Sequence, residues 1–228
     1  MEGVYLRLRH LLQRISSALI LLSFLPGLAQ TPQPHRQTST PYTGDLSIFD
    51  RSDRDKLLQV ERVMDILDIH SGSNVADIGA GSGWFTVRAA KRAGEQGAVY
   101  AEDINPEAIR YIDARVQKAG IHNVHTVLGA PDDPKLPAGS IDSVLILKTY
   151  HEIADPVRLL ENLRKSLRPG ARVGIIDRNG NGEDHGIQKD VVEQEAARAG
   201  YRLNNQYDFV KGDNEDYFLV FQAKEDRR

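Results

Sequence analysis

The 228-residue chain contains no cysteine. Disulfides, thiolate metal sites and a cysteine-linked lipid anchor are therefore excluded, and the fold must be held together by its core alone. A strong net charge is also missing. The formal charge is only −3, which argues against broad nucleic-acid binding. With 40% hydrophobic and 27% charged residues, the composition is that of a globular chain with room for one domain of ordinary size.

Long apolar runs are absent except near the start, where Ile15–Leu25 forms an apolar run of eleven residues. Three arginines precede this run, and Pro26 and the small residues of 27–29 follow it. This three-part pattern predicts a secretory signal peptide over residues 1–29 and an exported protein, periplasmic or secreted. Two alternatives stay open: a retained leader that anchors the chain in the membrane, and a start codon placed upstream of a cytosolic enzyme.

Beyond the leader, composition divides the chain into three further parts. Residues 30–52 contain several prolines, threonines and serines, which predicts a linker without regular structure. Residues 53–223 form the predicted domain, and 224–228 a charged tail. Apolar residues at helical spacing predict a first helix over 53–68, with Ser52 and Asp55 as a capping box.

The rest of the domain alternates between short apolar strands and amphipathic helices. The predicted strands are Asn74–Ile78, Ala98–Asp103, Val124–Leu128, Ile141–Leu147, Arg172–Asp177, Tyr201–Phe209 and Tyr217–Ala223. The predicted helices are Trp84–Ala93, Pro106 to about Lys118, Pro156 to about Arg168 with a break at Pro169–Gly170, and Ile187–Ala199. This alternation predicts an α/β fold with a doubly wound, seven-stranded, mostly parallel sheet that ends in an antiparallel β-hairpin.

The first strand runs into a glycine-rich turn, with the sequence Val-Ala-Asp-Ile-Gly-Ala-Gly-Ser-Gly over residues 75–83. A dinucleotide-binding loop would require a third glycine where Trp84 stands. The spacing instead resembles motif I of the class I S-adenosylmethionine (SAM) methyltransferases, which have a Rossmann-like fold. That resemblance implies SAM as cofactor, with its methionine part held by Asp77, Gly79, Ala80, Gly81 and Gly83.

A second acidic position follows at the end of the second strand, twenty residues after Gly83. Asp103 and the Ile104 that follows it resemble the family pattern, which implies that Asp103 binds the ribose hydroxyls and Ile104 contacts the adenine. Glu102 is the alternative acid, and the two-residue period of a strand predicts that it points the other way. In the remaining interpretation, both acids are simply solvated at the strand end.

The segment after the third strand, Gly129 and Ala130, occupies the place where the family closes over the adenine. The resemblance implies that these two residues offer backbone groups to the adenine edge. The alternative interpretation is a plain turn, since prolines and aspartates follow at 131–134.

Residues 148–151, Lys-Thr-Tyr-His, follow the fourth strand, where this fold places the methyl group and the acceptor. Lys148 is expected to line the methyl end, and Tyr150 to offer its ring to the sulfonium as a cation–π contact. His151 is expected to take a proton from the acceptor, or alternatively to order the start of the next helix. Although His151-Glu152 begins a zinc-protease-like pattern, Asp155 replaces its second histidine, so no metal is expected.

These features together predict a SAM-dependent methyltransferase, classed as a transferase, whose acceptor is a small molecule, a lipid or a protein, and not a nucleic acid. A membrane contact is expected only through an uncleaved leader, and the oligomeric state is left open. Two other functions stay possible at this stage: an inactive SAM- or nucleoside-binding module, and a nicotinamide-dependent oxidoreductase.

Overall fold

The structure is a computed structural model that describes residues 36–225. The predicted leader, the first part of the predicted linker and most of the charged tail lie outside the described residues. Among residues 36–225, no helix combines the length and the apolar character that crossing a bilayer requires.

Seven strands form one sheet with the order β3-β2-β1-β4-β5-β7-β6. They are β1 Asn74–Ile78, β2 Ala98–Asp103, β3 Val124–Leu128, β4 Ile141–Leu147, β5 Leu167–Asp177, β6 Tyr201–Tyr207 and β7 Tyr217–Ala223. The first five strands pair in parallel, whereas β7 is antiparallel to both β5 and β6. The predicted fold class is therefore confirmed, including the antiparallel hairpin at the C-terminal end.

Six α-helices accompany the sheet in the described residues: α1 Arg54–Leu57, α2 Val60–Ile66, α3 Trp84–Ala93, α4 Pro106–Ala119, α5 Pro156–Arg164 and α6 Lys189–Arg198. Two large apolar clusters show that both faces of the sheet are covered. One cluster joins Ala76 and Ile78 of β1 to α5 and α6. The other joins Val75 of β1 to α2 and α3. Because side chains alternate along a strand, β1 contributes to both cores.

Local capping signals place several helix ends correctly. Asn105 Oδ1 accepts a hydrogen bond from the Glu107 backbone N–H at 2.9 Å, and Pro106 opens α4. Gly120 ends α4 with φ of 65°, a left-handed conformation that glycine adopts at little cost. The bounds of β1 to β4, β7 and α3 agree with the sequence prediction, because apolar runs and breakers define them locally.

The predicted first helix over 53–68 is wrong, because two short helices separated by Gln59, with φ of 53°, occupy this region. The Ser52 capping box is also wrong, since Asp53 is the N-cap and makes no side-chain capping bond. A close tertiary contact lies next to the break. Gly212 packs so closely on Leu57 that an added Cβ would lie 2.8 Å from the Leu57 carbonyl oxygen.

The segment around Pro169–Gly170 also differs from the prediction. Helix α5 ends at Arg164, and β5 begins at Leu167 and runs through the proline and glycine. The pairing with β4 shifts there, from Ile141 opposite Leu167 to Ser143 opposite Arg172. A bulge absorbs the proline, which cannot donate to the sheet, so the expected break becomes an irregularity within a strand.

Residues 36–52, predicted to be part of an unstructured linker, make specific contacts with the domain. A 3₁₀ helix spans Leu46–Phe49, and Asp45 accepts a hydrogen bond from Ser47 N at 2.9 Å. Leu46 and Ser39 are buried. The Pro- and Thr-rich composition carried no signal for these contacts, which depend on groups far away in the sequence.

Candidate active site

The glycine loop lies at the carboxyl end of β1 and leads directly into α3. Gly79, Gly81 and Gly83 have φ of 67°, 54° and 72°, so all three adopt the left-handed conformation that favours glycine. A Cβ on Gly79 would also overlap the side chain of Thr149. By contrast, a Cβ on Gly81 would meet nothing closer than Phe49 Cδ2 at 3.8 Å. The glycines of the loop therefore expose main-chain atoms to an open cavity.

Three carboxylates surround this loop. Asp77, on β1, is 2% exposed and accepts a hydrogen bond from Thr86 Oγ1 at 2.6 Å, and burial raises its pKa to about 6. Asp103, at the end of β2, accepts from Gly81 N at 2.9 Å and from Asn105 N at 2.8 Å. Burial also raises the pKa of Asp103. These acids give the loop a negative, partly desolvated environment.

Glu102 also lies at the loop, although the strand period predicted that it would point away. Its Oε2 is 3.4 Å from Gly79 N, its side chain is 2% exposed, and burial raises its pKa to about 8. Gly129 makes room for it, because a Cβ there would overlap Glu102 Oε1. The sequence shows that Glu102 and Asp103 are adjacent, but nothing in it indicates that Gly129, after β3, leaves room for the Glu102 side chain.

The predicted adenine side is placed in part as expected. Ile104 is 43% exposed and lines the cavity together with Asp103. After β3, Ala130 and Pro131 line the cavity, whereas the Gly129 N–H donates to the Asp103 backbone oxygen at 3.1 Å. The Gly129 N–H is therefore used in a bond to β2, and the contact of Gly129 with the adenine stays a prediction.

The cavity that these residues enclose has a volume of about 620 Å³, which is within the range of small-molecule sites. The N-terminal segment forms one of its walls through Thr38, Pro41, Tyr42, Thr43, Leu46 and Phe49. Asp50 ties this wall to the loop, because Ser82 Oγ donates to Asp50 Oδ1 at 2.8 Å. Residues 36–50 therefore complete the site. We call this space the donor cavity.

A second, smaller cavity of about 400 Å³ adjoins the donor cavity. Five residues line both cavities: Tyr42, Phe49, Arg54, Lys148 and Glu152. Lys148 has φ of 57°, and its Nζ lies 2.5 Å from Glu215 Oε1, so its charge is paired at the boundary. His151, Arg178 and His185 line only the second cavity.

Tyr150 does not face either cavity, which contradicts its predicted contact with a sulfonium. Its side chain is fully buried, and its hydroxyl donates to Glu195 Oε2 at 3.0 Å. The guanidinium of Arg36 lies 5.2 Å from its ring centre. The short 3₁₀ helix Tyr150–Glu152 directs this ring into the hydrophobic core. Tyr150 therefore packs in the core and lines neither cavity.

His151 is oriented by a carboxylate that sequence analysis missed as a site residue. Its Nδ1 lies 2.9 Å from both oxygens of Asp177, and its backbone N–H donates to Asp177 Oδ2 at 3.1 Å. Asp177 is fully buried at the end of β5. A signal was available, because Asp177 ends the strand that pairs with β4, and His151 follows β4. With Nδ1 held, Nε2 is the ring nitrogen available to other groups.

Glu152 and His185 complete this region. His151 Nε2 is 3.9 Å from Glu152 Oε1, and the rings of His151 and His185 meet edge to face with centres 5.8 Å apart. Burial raises the pKa of Glu152 to about 7. His151, Glu152 and His185 bring one ligand atom each within 4.8 Å of one another.

Comparisons with known proteins agree with this geometry. A family described as a methyltransferase domain matches residues 69–219, more than half of the chain. In structure, the chain is similar to a SAM-dependent methyltransferase from Aquifex aeolicus, with a TM-score of 0.71 and 25% identity over 78% of this chain and 98% of that one.

Among curated proteins, the chain is 32% identical over 114 residues to a nocamycin O-methyltransferase of Saccharothrix syringae. It is 29% identical over 113 residues to a protein-L-isoaspartate O-methyltransferase of Pyrococcus horikoshii. Each match covers 50% of this chain, and 41% and 48% of the respective relative. The chain thus spans about half the length, or less, of these relatives.

The chain belongs to the methyltransferase family that matches residues 69–219. Its class is that of the class I SAM-dependent methyltransferases, and SAM is the cofactor that family and fold imply. The donor cavity fits that cofactor, because it combines bare glycine backbone with buried acids on two neighbouring strands.

Proposed function

We propose that this protein transfers the sulfonium methyl group of SAM to a nucleophilic atom of a small-molecule acceptor held in the second cavity. The observation that carries the proposal is the shared boundary of the two cavities at Lys148 and Glu152. A donor in the first cavity and an acceptor in the second can meet there. The volume of the second cavity, about 400 Å³, suits a small-molecule acceptor.

The donor side has the charge that SAM requires. SAM carries a sulfonium and an ammonium group, and Asp77 and Asp103 supply carboxylates around the loop. Each carboxylate oxygen of Asp103 accepts one hydrogen bond from a backbone N–H group. The remaining lone pairs can accept hydrogen bonds from the ribose hydroxyls. The amino-acid end of SAM would lie on the backbone of Gly79 to Gly83.

The reaction requires mainly positioning, since a sulfonium is already an activated methyl donor. Holding donor and acceptor in line can remove about 7–11 kcal/mol of the barrier at best. An acceptor that must lose a proton would give it to His151 Nε2. Asp177 would fix the ring orientation and stabilise the charged imidazole, as a carboxylate does beside a catalytic histidine.

Titration calorimetry with SAM tests the donor half of this proposal. We expect Asp103→Ala to weaken SAM binding by about 10–100-fold, which corresponds to the loss of one or two charged hydrogen bonds. Asp113→Ala is the matched control, because Asp113 is exposed on α4 and its recorded partner is Thr126 on β3. Equal SAM affinity of the two variants would contradict the assigned role of Asp103.

Transfer of a labelled methyl group from SAM into fractionated metabolites, lipids and proteins tests the acceptor half. We expect label in the small-molecule fraction. Binding of SAM without label in any fraction would indicate a binding module instead of an enzyme. Label confined to lipids or proteins would contradict the choice of a small acceptor.

We also propose that the chain is exported, on the basis of the leader pattern in residues 1–29. Export would place a SAM-dependent enzyme away from the cytosol, where SAM is made, so it requires a supply of the donor. N-terminal sequencing of the mature protein tests this proposal. Gln30 as the first residue of exported material would support it, whereas Met1 on cytosolic material would overturn it.

A further inference from the structure

We infer that His151, Glu152 and His185 bind one divalent transition-metal ion in the second cavity, next to the donor cavity. Each of the three residues offers one ligand atom, and these atoms lie within 4.8 Å of one another. Among residues 36–225, this is the group of three histidine or acidic residues close enough to share an ion. The inference reverses the expectation from the sequence that no metal is bound. His151 and Glu152 lie in the short 3₁₀ helix after β4 and His185 in the loop after β5, so linear spacing could not reveal the group.

The orientation of His151 is the main support for a metal site. Its Nδ1 is held by the buried carboxylate of Asp177 at 2.9 Å, which directs Nε2 toward Glu152 Oε1 at 3.9 Å. Metal-binding histidines commonly bond a carboxylate or carbonyl through the other ring nitrogen, which fixes the tautomer and increases ligand basicity. Asp177 itself is anchored by the backbone N–H groups of His151 and Arg178.

To bind one ion, the ligand atoms of the three residues would need to move only slightly closer together. Ligand bonds of about 2.0–2.2 Å in a tetrahedral site place ligand atoms roughly 3.4 Å apart. The His151–Glu152 separation of 3.9 Å is therefore about 0.5 Å too long, and no separation in the group is more than about 1.4 Å too long. The His185 backbone is held by hydrogen bonds to Ser39 and Arg178, but its side chain is exposed, so a rotation of the ring can bring its nitrogen closer.

Cationic side chains line the second cavity, but each has a recorded partner other than Glu152. Lys148 pairs with Glu215, and Arg54 pairs with Asp213 at 3.0 Å. Arg178 donates to the backbone oxygens of Asp184 and His185. Two acidic side chains belong to the site itself, because Glu152 is one of the ligands and Asp177 bonds His151 Nδ1. A divalent cation would match them.

The ligand types select the kind of ion. Two imidazoles and one carboxylate suit Zn²⁺, Fe²⁺ or Co²⁺, whereas Mg²⁺ prefers all-oxygen sites. Three protein ligands leave at least one coordination position for an outside oxygen. If the proposed methyl transfer holds, an acceptor hydroxyl is the natural occupant, because a metal lowers the pKa of a bound hydroxyl.

The consequence for the reaction rests on the proposed function. The metal-bound hydroxyl would release its proton to solvent water. The oxygen–methyl bond would form while the methyl–sulfur bond breaks, and the bond's electron pair would stay on sulfur as a neutral thioether. His151 Nε2 would then act as a metal ligand, and would act as a base only in the metal-free protein.

Metal titration of the full chain, purified without a polyhistidine tag and stripped with a chelator, tests the inference without any methyl donor. We expect one equivalent of Zn²⁺ to bind, Co²⁺ to develop visible absorption bands on binding, and Mg²⁺ to give no signal. His185→Ala and Glu152→Gln should each weaken Zn²⁺ binding by at least 10-fold. Asp177→Asn should weaken it by about 10–100-fold through the orientation of His151.

Matched controls make the result specific. His122→Ala removes an exposed histidine just before β3, an edge strand of the sheet, and should bind Zn²⁺ like the parent protein. Zinc affinity that is equal in the parent, His185→Ala and Glu152→Gln proteins, or a stoichiometry well below one, would overturn the inference.

The two proposals fail separately. Gly81→Arg, which blocks the donor cavity, should keep full zinc binding. Zinc binding without methyl transfer would contradict the proposed function and leave the metal site standing. SAM binding and methyl transfer without zinc binding, unaffected by chelator, would contradict the metal site alone.

Discussion

The donor side and the acceptor side of this site are built in different ways. On the donor side, one continuous stretch, residues 77–105, supplies the glycine loop and its three acids, and residues 36–50 add a wall. The acceptor side combines His151 after β4, Asp177 at the end of β5 and His185 in the next loop. The cofactor site can therefore be predicted from a local sequence motif. The acceptor-side residues, by contrast, are brought together only by the pairing of strands that are distant in sequence.

The largest expected effect comes from breaking the donor side. Gly81→Arg puts a long side chain into the donor cavity at φ of 54° and should reduce SAM affinity more than 100-fold. Gly139→Arg is the matched control, because Gly139 has φ of 57° and an added Cβ would meet nothing within 4 Å. Both variants carry the same backbone penalty, about 1 kcal/mol. Calorimetry that finds equal loss in both would mean that strain, and not the cavity, is responsible.

Breaking the acceptor side should affect turnover and leave the donor in place. We expect His151→Ala to lower kcat by about 100-fold or more, with SAM affinity unchanged within a factor of three. Asp177→Asn should lower kcat in the same direction by disturbing the ring orientation. Steady-state kinetics and SAM titration on the same preparations separate the two sides. A parallel loss of SAM affinity would show that the two sides are not independent.

The acids of the donor side should make the SAM-free protein less stable as pH rises. Burial raises the pKa of Glu102 from 4.5 to about 8, so the folded state holds this proton more tightly than the unfolded state. The resulting stability is present in full below about pH 4.5 and is lost as pH rises through 8. The unfolding free energy of the parent protein should therefore fall between pH 5 and pH 9. In the Glu102→Gln variant this fall should be smaller by on the order of 3 kcal/mol.

Denaturant unfolding at several pH values measures this slope. Part of it should persist in the variant, because burial also raises the pKa of Glu152 and of Glu215 to about 7. Glu107→Gln, at an exposed position at the start of α4, serves as the control and should follow the parent protein. Identical slopes for the Glu102→Gln and parent proteins would contradict the raised pKa of Glu102.

The smallest effect is expected at Tyr150, which the structure removes from the site. Tyr150→Phe loses the hydrogen bond to Glu195 and should cost about 1 kcal/mol of stability. SAM affinity and kcat should change less than threefold, as measured beside His151→Ala. A 10-fold loss of SAM affinity would contradict the placement of Tyr150 outside the site.

The sequence by itself determined the strands β1 to β4, helix α3, the closing hairpin and the glycine loop. These features depend on local physical chemistry: apolar runs, capping residues and the left-handed conformation of glycine. Asp103 belongs to the same group, because its position at a strand end is fixed by the run that precedes it.

Only the tertiary structure decided the rest. Glu102 lies under the loop because Gly129 leaves room, Tyr150 turns into the core to meet Glu195, and His151 is oriented by Asp177. Residues 36–50 cover the donor cavity, although their composition predicted a linker. Each of these outcomes depends on a partner more than twenty residues away, and a local pattern holds no information about such partners.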